Sequence, residues 1–164
     1  MTAYSFVLFS AAFLCSLVAG FLFAFAAVVM PALHKMNDRD FIHSFQAIDG
    51  VIQRRQPLFI FVWLGSVISI VILVVFGALA PDTQNQGLIG VATFAYLGGV
   101  QLPTFTINIP LNNRIQSFAL DGASETEQQL LREQFERKWN RSNICRTAVA
   151  CIVSGVLVMI AIDL

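Results

Sequence analysis

The sequence predicts an all-α integral membrane protein. The expected form is a four-transmembrane-helix bundle with an amphipathic cytoplasmic helix between spans 1 and 2 and a long cytoplasmic extension of span 4. Three observations predict it. Hydrophobic residues make up 57% of the chain and charged residues 12%, about half the charged share of an ordinary soluble domain. The apolar residues are gathered into four blocks instead of recurring at the period of a soluble amphipathic fold. All ten Lys and Arg lie in the first or third connection between those blocks, or at the helix edge that follows the third.

The first block, about Tyr4 to Met30, carries no charge and exceeds the roughly 20 helical residues that a hydrocarbon core requires. It is too long for a signal-peptide h-region and has no Lys or Arg before it, so it is expected to stay as a span. The second, Leu58 to Ala80, is framed by Pro57, which suits a helix start, and Pro81, which stops one. The third runs from about Gly87 to Leu111 and contains Pro103 and Pro110. Only Asp82 to Gln86 separates it from the second, so these two should be antiparallel neighbours. The fourth runs from about Asn143 to Ile162. The blocks and their short links make one membrane domain over 1–164, with no internal repeat. The positive-inside rule puts the two basic connections in the cytoplasm and both termini on the other face of a cell (inner) membrane.

In the first connection Phe41, Phe45, Ile48 and Ile52 recur at helical spacing, and Arg39, His43, Gln46 and Gln53 lie opposite them. Two readings stand side by side: a helix resting on the headgroups with its phenylalanines down, or a lid pointing His43, Gln46 or Asp49 into the bundle. In the third connection Ser124 and Glu127 have the spacing of a capping box. Leu131, Phe135 and Trp139 follow at intervals of four, and Arg132 with Glu136 and Glu133 with Arg137 are spaced for helical ion pairs. No Pro or Gly intervenes between Ala123 and Ser154, so this helix should run on into the fourth span as one rod.

Polar side chains inside a span are costly and face the protein interior. Gln101, Asn108 and Asn112, at separations of seven and four, fall on one side of an α-helix with Thr104 nearby. Each nearby proline removes a backbone donor and frees a carbonyl, so the helix should bend and open that face. The pattern points to a ligand cavity, with amide glue between helices as the plainer alternative. Phe21 and Phe25 make the end of the first span aromatic, fit for a flat ligand or for lipid. Ser16, Gly20 and Ala24 form a small-residue stripe that should let another helix come close. Trp139, Asn143 and Arg146 share a face at the membrane boundary, where Arg146 either snorkels to phosphate or turns inward to Asp49 or an anionic ligand. Cys15, Cys145 and Cys151 lack metal or disulfide spacing and should be packing residues.

With zero net charge, no nucleic-acid partner is expected. Two histidines without an acidic cluster argue against a metal centre or haem, and the phosphate-binding, dinucleotide-binding and serine-nucleophile motifs are absent. The expectation is therefore no cofactor and no metal.

Four segments occur in order: Gly20-Phe21-Leu22-Phe23-Ala24 leading to Met30-Pro31-Ala32-Leu33; Phe45-Gln46-Ala47-Ile48-Asp49; Asn108-Ile109-Pro110-Leu111-Asn112-Asn113; and Trp139, Asn143, Arg146 and Thr147. Together they resemble the anthrone oxygenase-like family of small four-helix membrane proteins. The resemblance implies cofactor-independent oxidation of an aromatic anthrone-like substrate with dioxygen. It implies oxyanion donors at Asn108, Asn112 and Asn143, positive charge from Arg146, ring orientation by Gln46, and His43 or Asp49 as the base. Gln101, Phe21, Phe25 and Trp139 complete the expected substrate-binding set. The sequence departs from the family at Ile144, where many relatives carry histidine, and at Asp49, where asparagine is common. The alternative is a non-enzymatic membrane subunit or binding protein holding a lipid, a quinone or a partner helix, as a homo-oligomer or within a larger complex. A transporter ranks third, since no inverted repeat is evident.

Overall fold

A computed structural model describes residues 2–79 and 85–163. The described chain is helical with no strand. Four helices are long and apolar enough to cross a membrane: α1 (Ala3–His34), α3 (Pro57–Leu79), α4 (Gln86–Gln116) and α5 (Glu125–Ile162). A fifth helix, α2 (Asp38–Gln53), lies between the first two. This is the build of a multi-pass membrane protein. The expected stop at Pro81 and most of the Asp82 to Gln86 link lie outside the described residues.

Local chemistry sets the helix starts. Asn37 caps α2 by accepting from the Asp40 N–H at 2.9 Å. Gln56 accepts from the Phe59 N–H ahead of Pro57, whose missing donor costs nothing at a first turn. Ser124 and Glu127 form the expected capping box, and α5 continues for 38 residues to Ile162. Of the two expected ion pairs, Arg132 Nε donates to Glu136 Oε2 at 2.8 Å. Glu133 instead accepts from Gln129, and no Glu133–Arg137 salt bridge is found among the described residues.

The prolines inside the long helices widen the turn before them. Pro31, Pro103 and Pro110 each follow a π-helical stretch, at Phe25–Val29, Leu97–Gln101 and Thr104–Asn108. In each case the residue just before the proline donates to the carbonyl five back: Met30 to Phe25, Leu102 to Leu97, Ile109 to Thr104. A proline ring clashes with the carbonyl four residues earlier, and a wider turn carries that carbonyl aside.

α1 packs against both α3 and α5, while α4 packs against α3 and α5. One apolar core joins these four, with Leu8, Cys15, Val18, Ile70, Tyr96 and Leu157 at its centre. A second core gathers Phe41, Phe45, Ile115, Phe135 and Trp139 where α2 folds against α5 and the end of α4. The buried face of α2 is Phe41, Ile42, Phe45 and Asp49, while Ile48 points outward. It is rotated from the expected stripe because α2 sits in the angle between helices, not on one flat surface.

The small-residue stripe also needs correction. Ser16 hydrogen-bonds Ser154 of α5, but Gly20 and Ala24 are exposed. Steps of four drift about 40° each on an α-helix, so the stripe leaves the interface, and Ala11, Ala12, Cys15 and Ala19 are buried there instead. Close approach is made elsewhere, at Gly99, where an added Cβ would stand 2.9 Å from Val149 of α5. Of the cysteines only Cys15 is buried; Cys145 and Cys151 are exposed.

Candidate functional site

Between the second half of α1, α2, the start of α3, the second half of α4 and the middle of α5 lies a cavity of about 290 Å³, near the lower end of ligand-sized pockets, which run from roughly 300 to 1,000 Å³. Seven of its eighteen lining residues are aromatic. Phe21 stands 5.0 Å from Phe25 and 5.2 Å from Phe59 between ring centroids. Phe59 stacks on Trp63, and Trp139 meets Phe25 and Phe45 at 5.6 Å. Such faces suit a flat apolar ligand.

Polar groups converge on this aromatic shell from α2, α4 and α5. Arg146 is 3% exposed and is held by neutral partners: Nη1 donates to Thr104 Oγ1 at 2.8 Å and Nη2 to Asn143 Oδ1 at 2.9 Å. Thr104 donates its own O–H to the Val100 carbonyl, and Asn143 donates to the Leu22 carbonyl, which fixes both acceptors. Asn108 accepts from Ser142 Oγ at 2.6 Å. Two buried donors in this wall have no partner, Arg146 Nε and Asn108 Nδ2. A buried unsatisfied donor costs about 1–3 kcal/mol, more when charged.

Asp49 enters from α2 and is 3% exposed. Its Oδ1 accepts from Asn112 at 2.8 Å, and its Oδ2 from Gln53 at 2.8 Å and Gln116 at 3.1 Å. Trp139 Nε1 donates to Asn112 Oδ1 at 2.7 Å, which orients the Asn112 amide toward the carboxylate. Burial pushes the Asp49 carboxyl above its ordinary value, and the amide N–H groups of Gln116, Gln53 and Asn112 pull the other way. Asp49 and Arg146 both line the cavity, yet neither takes part in a salt bridge among the described residues. The cavity thus has one acidic and one cationic wall.

Of the residues singled out from sequence, Phe21, Phe25, Asp49, Asn108, Asn112, Trp139, Asn143 and Arg146 line this one space. Three lie elsewhere. His43 is exposed and borders a separate surface cleft with Arg39 and Asp121. Gln46 spends its amide on the Ile115 and Phe118 carbonyls, holding α2 to the end of α4. Gln101 accepts from Trp63 Nε1 at 3.0 Å and faces α3. The wide turn at Thr104–Asn108 is the reason: a π turn takes up about one residue more than an α turn, and one residue is about 100° of phase, so Gln101 and Asn108 no longer share a face. Of the alternatives open for Arg146, it turns inward and is buried instead of snorkelling, and no salt bridge with Asp49 is found among the described residues.

Sequence reasoning passed over Gln116, Ser142, Phe59 and Trp63. Phe59 and Trp63, four apart just after Pro57, carried a readable signal. Gln116 did not, since an amide gains meaning only once its carboxylate partner is located.

A profile of the family described as anthrone oxygenase matches residues 58–157. No curated protein and no solved structure matches the chain. The matched stretch includes Trp63, Asn108, Asn112, Trp139, Asn143 and Arg146, while Asp49 and the α1 rings lie before it. Covering well over half of the sequence, this match shows that the chain belongs to the anthrone oxygenase family.

Proposed function

We propose that the protein oxidises an anthrone-like aromatic with dioxygen inside the membrane cavity. The observation that supports this reading is a pair of unpartnered buried donors, Arg146 Nε and Asn108 Nδ2, on two residues that line one cavity rich in aromatic rings. Donors arranged in advance stabilise an oxyanion as it forms, and a guanidinium without a carboxylate partner leaves its charge for the ligand.

The chemistry balances with dioxygen as the oxidant. An anthrone has an acidic methylene across the ring from its carbonyl. Asp49 takes one methylene proton, leaving a carbanion whose charge is shared with the carbonyl oxygen. That oxygen is the acceptor for Arg146 and Asn108. The carbanion carbon adds dioxygen and a proton to become a hydroperoxide. Loss of the remaining carbon-bound hydrogen and of the distal oxygen as water leaves a second carbonyl. The four electrons lost by carbon are those gained by the two oxygen atoms. Asp49 is the base because it borders the cavity, whereas His43 does not.

The test is anthrone oxidation by the protein in lipid nanodiscs, followed by quinone absorbance and an oxygen electrode. One dioxygen should disappear per quinone, faster than in empty nanodiscs. Asp49→Asn should lower the rate by about 10²–10⁴-fold, the usual worth of a general base. Asn108→Leu should cost about 10²–10³-fold, as for a lost oxyanion donor. Oxidation no faster than in empty nanodiscs overturns the reading, and saturable binding without turnover leaves a holding protein in its place.

A further inference from the structure

We infer that the ligand reaches this cavity sideways out of the bilayer, through a mouth between α3 and α4 framed by Leu64, Phe105 and Ile109, and is therefore a neutral, lipid-dissolved flat aromatic. The inference rests on reading the cavity as the ligand site and adds to it a route of entry. These three framing residues line the cavity and are also exposed, Leu64 at 54%, Phe105 at 63% and Ile109 at 37%. The cavity is not fully enclosed, so residues that are both cavity wall and outer surface stand at the rim of its opening, and an apolar outer surface on a spanning helix faces acyl chains.

The packing explains why the opening lies there. α3 packs on α4 through the Gln86–Tyr96 segment. Among the described residues their hydrogen bonds run from Thr93 to Ile70, through Tyr96 with Ser66, to Trp63 with Gln101. Below Trp63 and Gln101 the cavity takes the place of contact, with Phe59 and Ile60 on one side and Thr104 and Asn108 on the other. The α2 end is fastened instead. Gln46 holds the Ile115 and Phe118 carbonyls, Gln116 holds the Gln46 carbonyl, and Gln53 reaches Asn113. Phe45 and Asp49, which fill that end, are 1% and 3% exposed. A charged solute would have to cross hydrocarbon to use the side mouth, whereas a neutral aromatic already dissolves there.

Trp63 and Trp139 are the two tryptophans of the chain and both line the cavity, so their fluorescence reports occupancy. The experiment mixes anthraquinone with the full-length protein in phosphatidylcholine vesicles and follows tryptophan quenching by stopped flow. Narrowing the mouth with Leu64→Phe plus Ile109→Phe should slow association and dissociation together by several-fold, with the dissociation constant nearly unchanged. Phe105→Ala should speed both. Gln46→Ala, which unfastens α2 from the end of α4 without touching the cavity wall, should change neither. Rates that respond to Gln46→Ala and ignore the mouth variants overturn the lateral route. A changed dissociation constant at constant association rate makes the mouth residues ligand contacts and also overturns it. Absence of saturable quenching in the unsubstituted protein overturns the cavity reading itself, and the mouth with it.

Discussion

Asp49 places a carboxylate among three amide donors at one side of a largely apolar cavity, and its titration follows from that balance. Burial raises its pKa, and the N–H groups of Gln116, Gln53 and Asn112 oppose the rise because they favour the ionised form. A base works ionised, so kcat/KM should climb as pH rises through the Asp49 value. Gln116→Leu removes one donor to the charged form and should move that acidic limb to higher pH; a limb that stays in place removes Asp49 from the base role. Stability has the opposite sign. A folded-state pKa above the unfolded one gives stability that is present below the unfolded value and lost as pH rises through the folded one. The unfolding midpoint of Asp49→Asn relative to the unsubstituted protein should therefore increase over that same window. Much of this residue set was legible from spacing alone: Asn108 with Asn112, and Trp139, Asn143 and Arg146. The amides around Asp49 were not, because Gln53 and Gln116 meet it only after α2 folds onto the end of α4.

Elements carry the site through their phase and their separation. The spans were readable because uncharged runs of the needed length leave lipid as their solvent. The faces of α4 were less so. Pro103 and Pro110 announced a disturbance, but a bend and a wide turn look alike in sequence, and only the wide turn rotates Gln101 toward Trp63. Separation depends on Gly99, which lets α4 approach Val149 of α5 and so brings Thr104 within 2.8 Å of Arg146. Gly99→Ala should push the two helices apart at a cost of about 1–3 kcal/mol, the range for overpacking. The loss should be recovered when Val149→Ala is added, since the clash is with its methyl groups. Reversible unfolding of the two single variants and the double in mixed micelles measures the coupling. Strict additivity would deny that this contact sets the spacing.

At the scale of the whole molecule, charge decides how the helices sit in the membrane. Arg39, Arg54, Arg55, Arg114, Arg132 and the other Lys and Arg residues lie around α2, at the end of α4 and along α5 as far as Arg146, and the described helix ends at the opposite face carry none. The basic end contains Asp49, so the orientation also states which compartment lies nearest that carboxylate. Cytoplasmic loops retain Lys and Arg because these are costly to translocate. The basic end is therefore expected in the cytoplasm, with Asn85 and both chain ends on the far side. Single cysteines at Arg54, Asp121 and Asn85, in a background where Cys15, Cys145 and Cys151 are serine, make this measurable with a membrane-impermeant maleimide on intact cells. Only the Asn85 cysteine should be labelled before lysis, and all three after it. Labelling of the Arg54 and Asp121 positions on intact cells, with Asn85 protected, would invert the protein and put Asp49 at the outer face. Labelling of one basic position without the other would mean that the first and third connections lie on opposite sides. An even number of crossings between those connections, the one that puts Gln53 beside Asn113 and Arg132 beside Asp38, forbids that result.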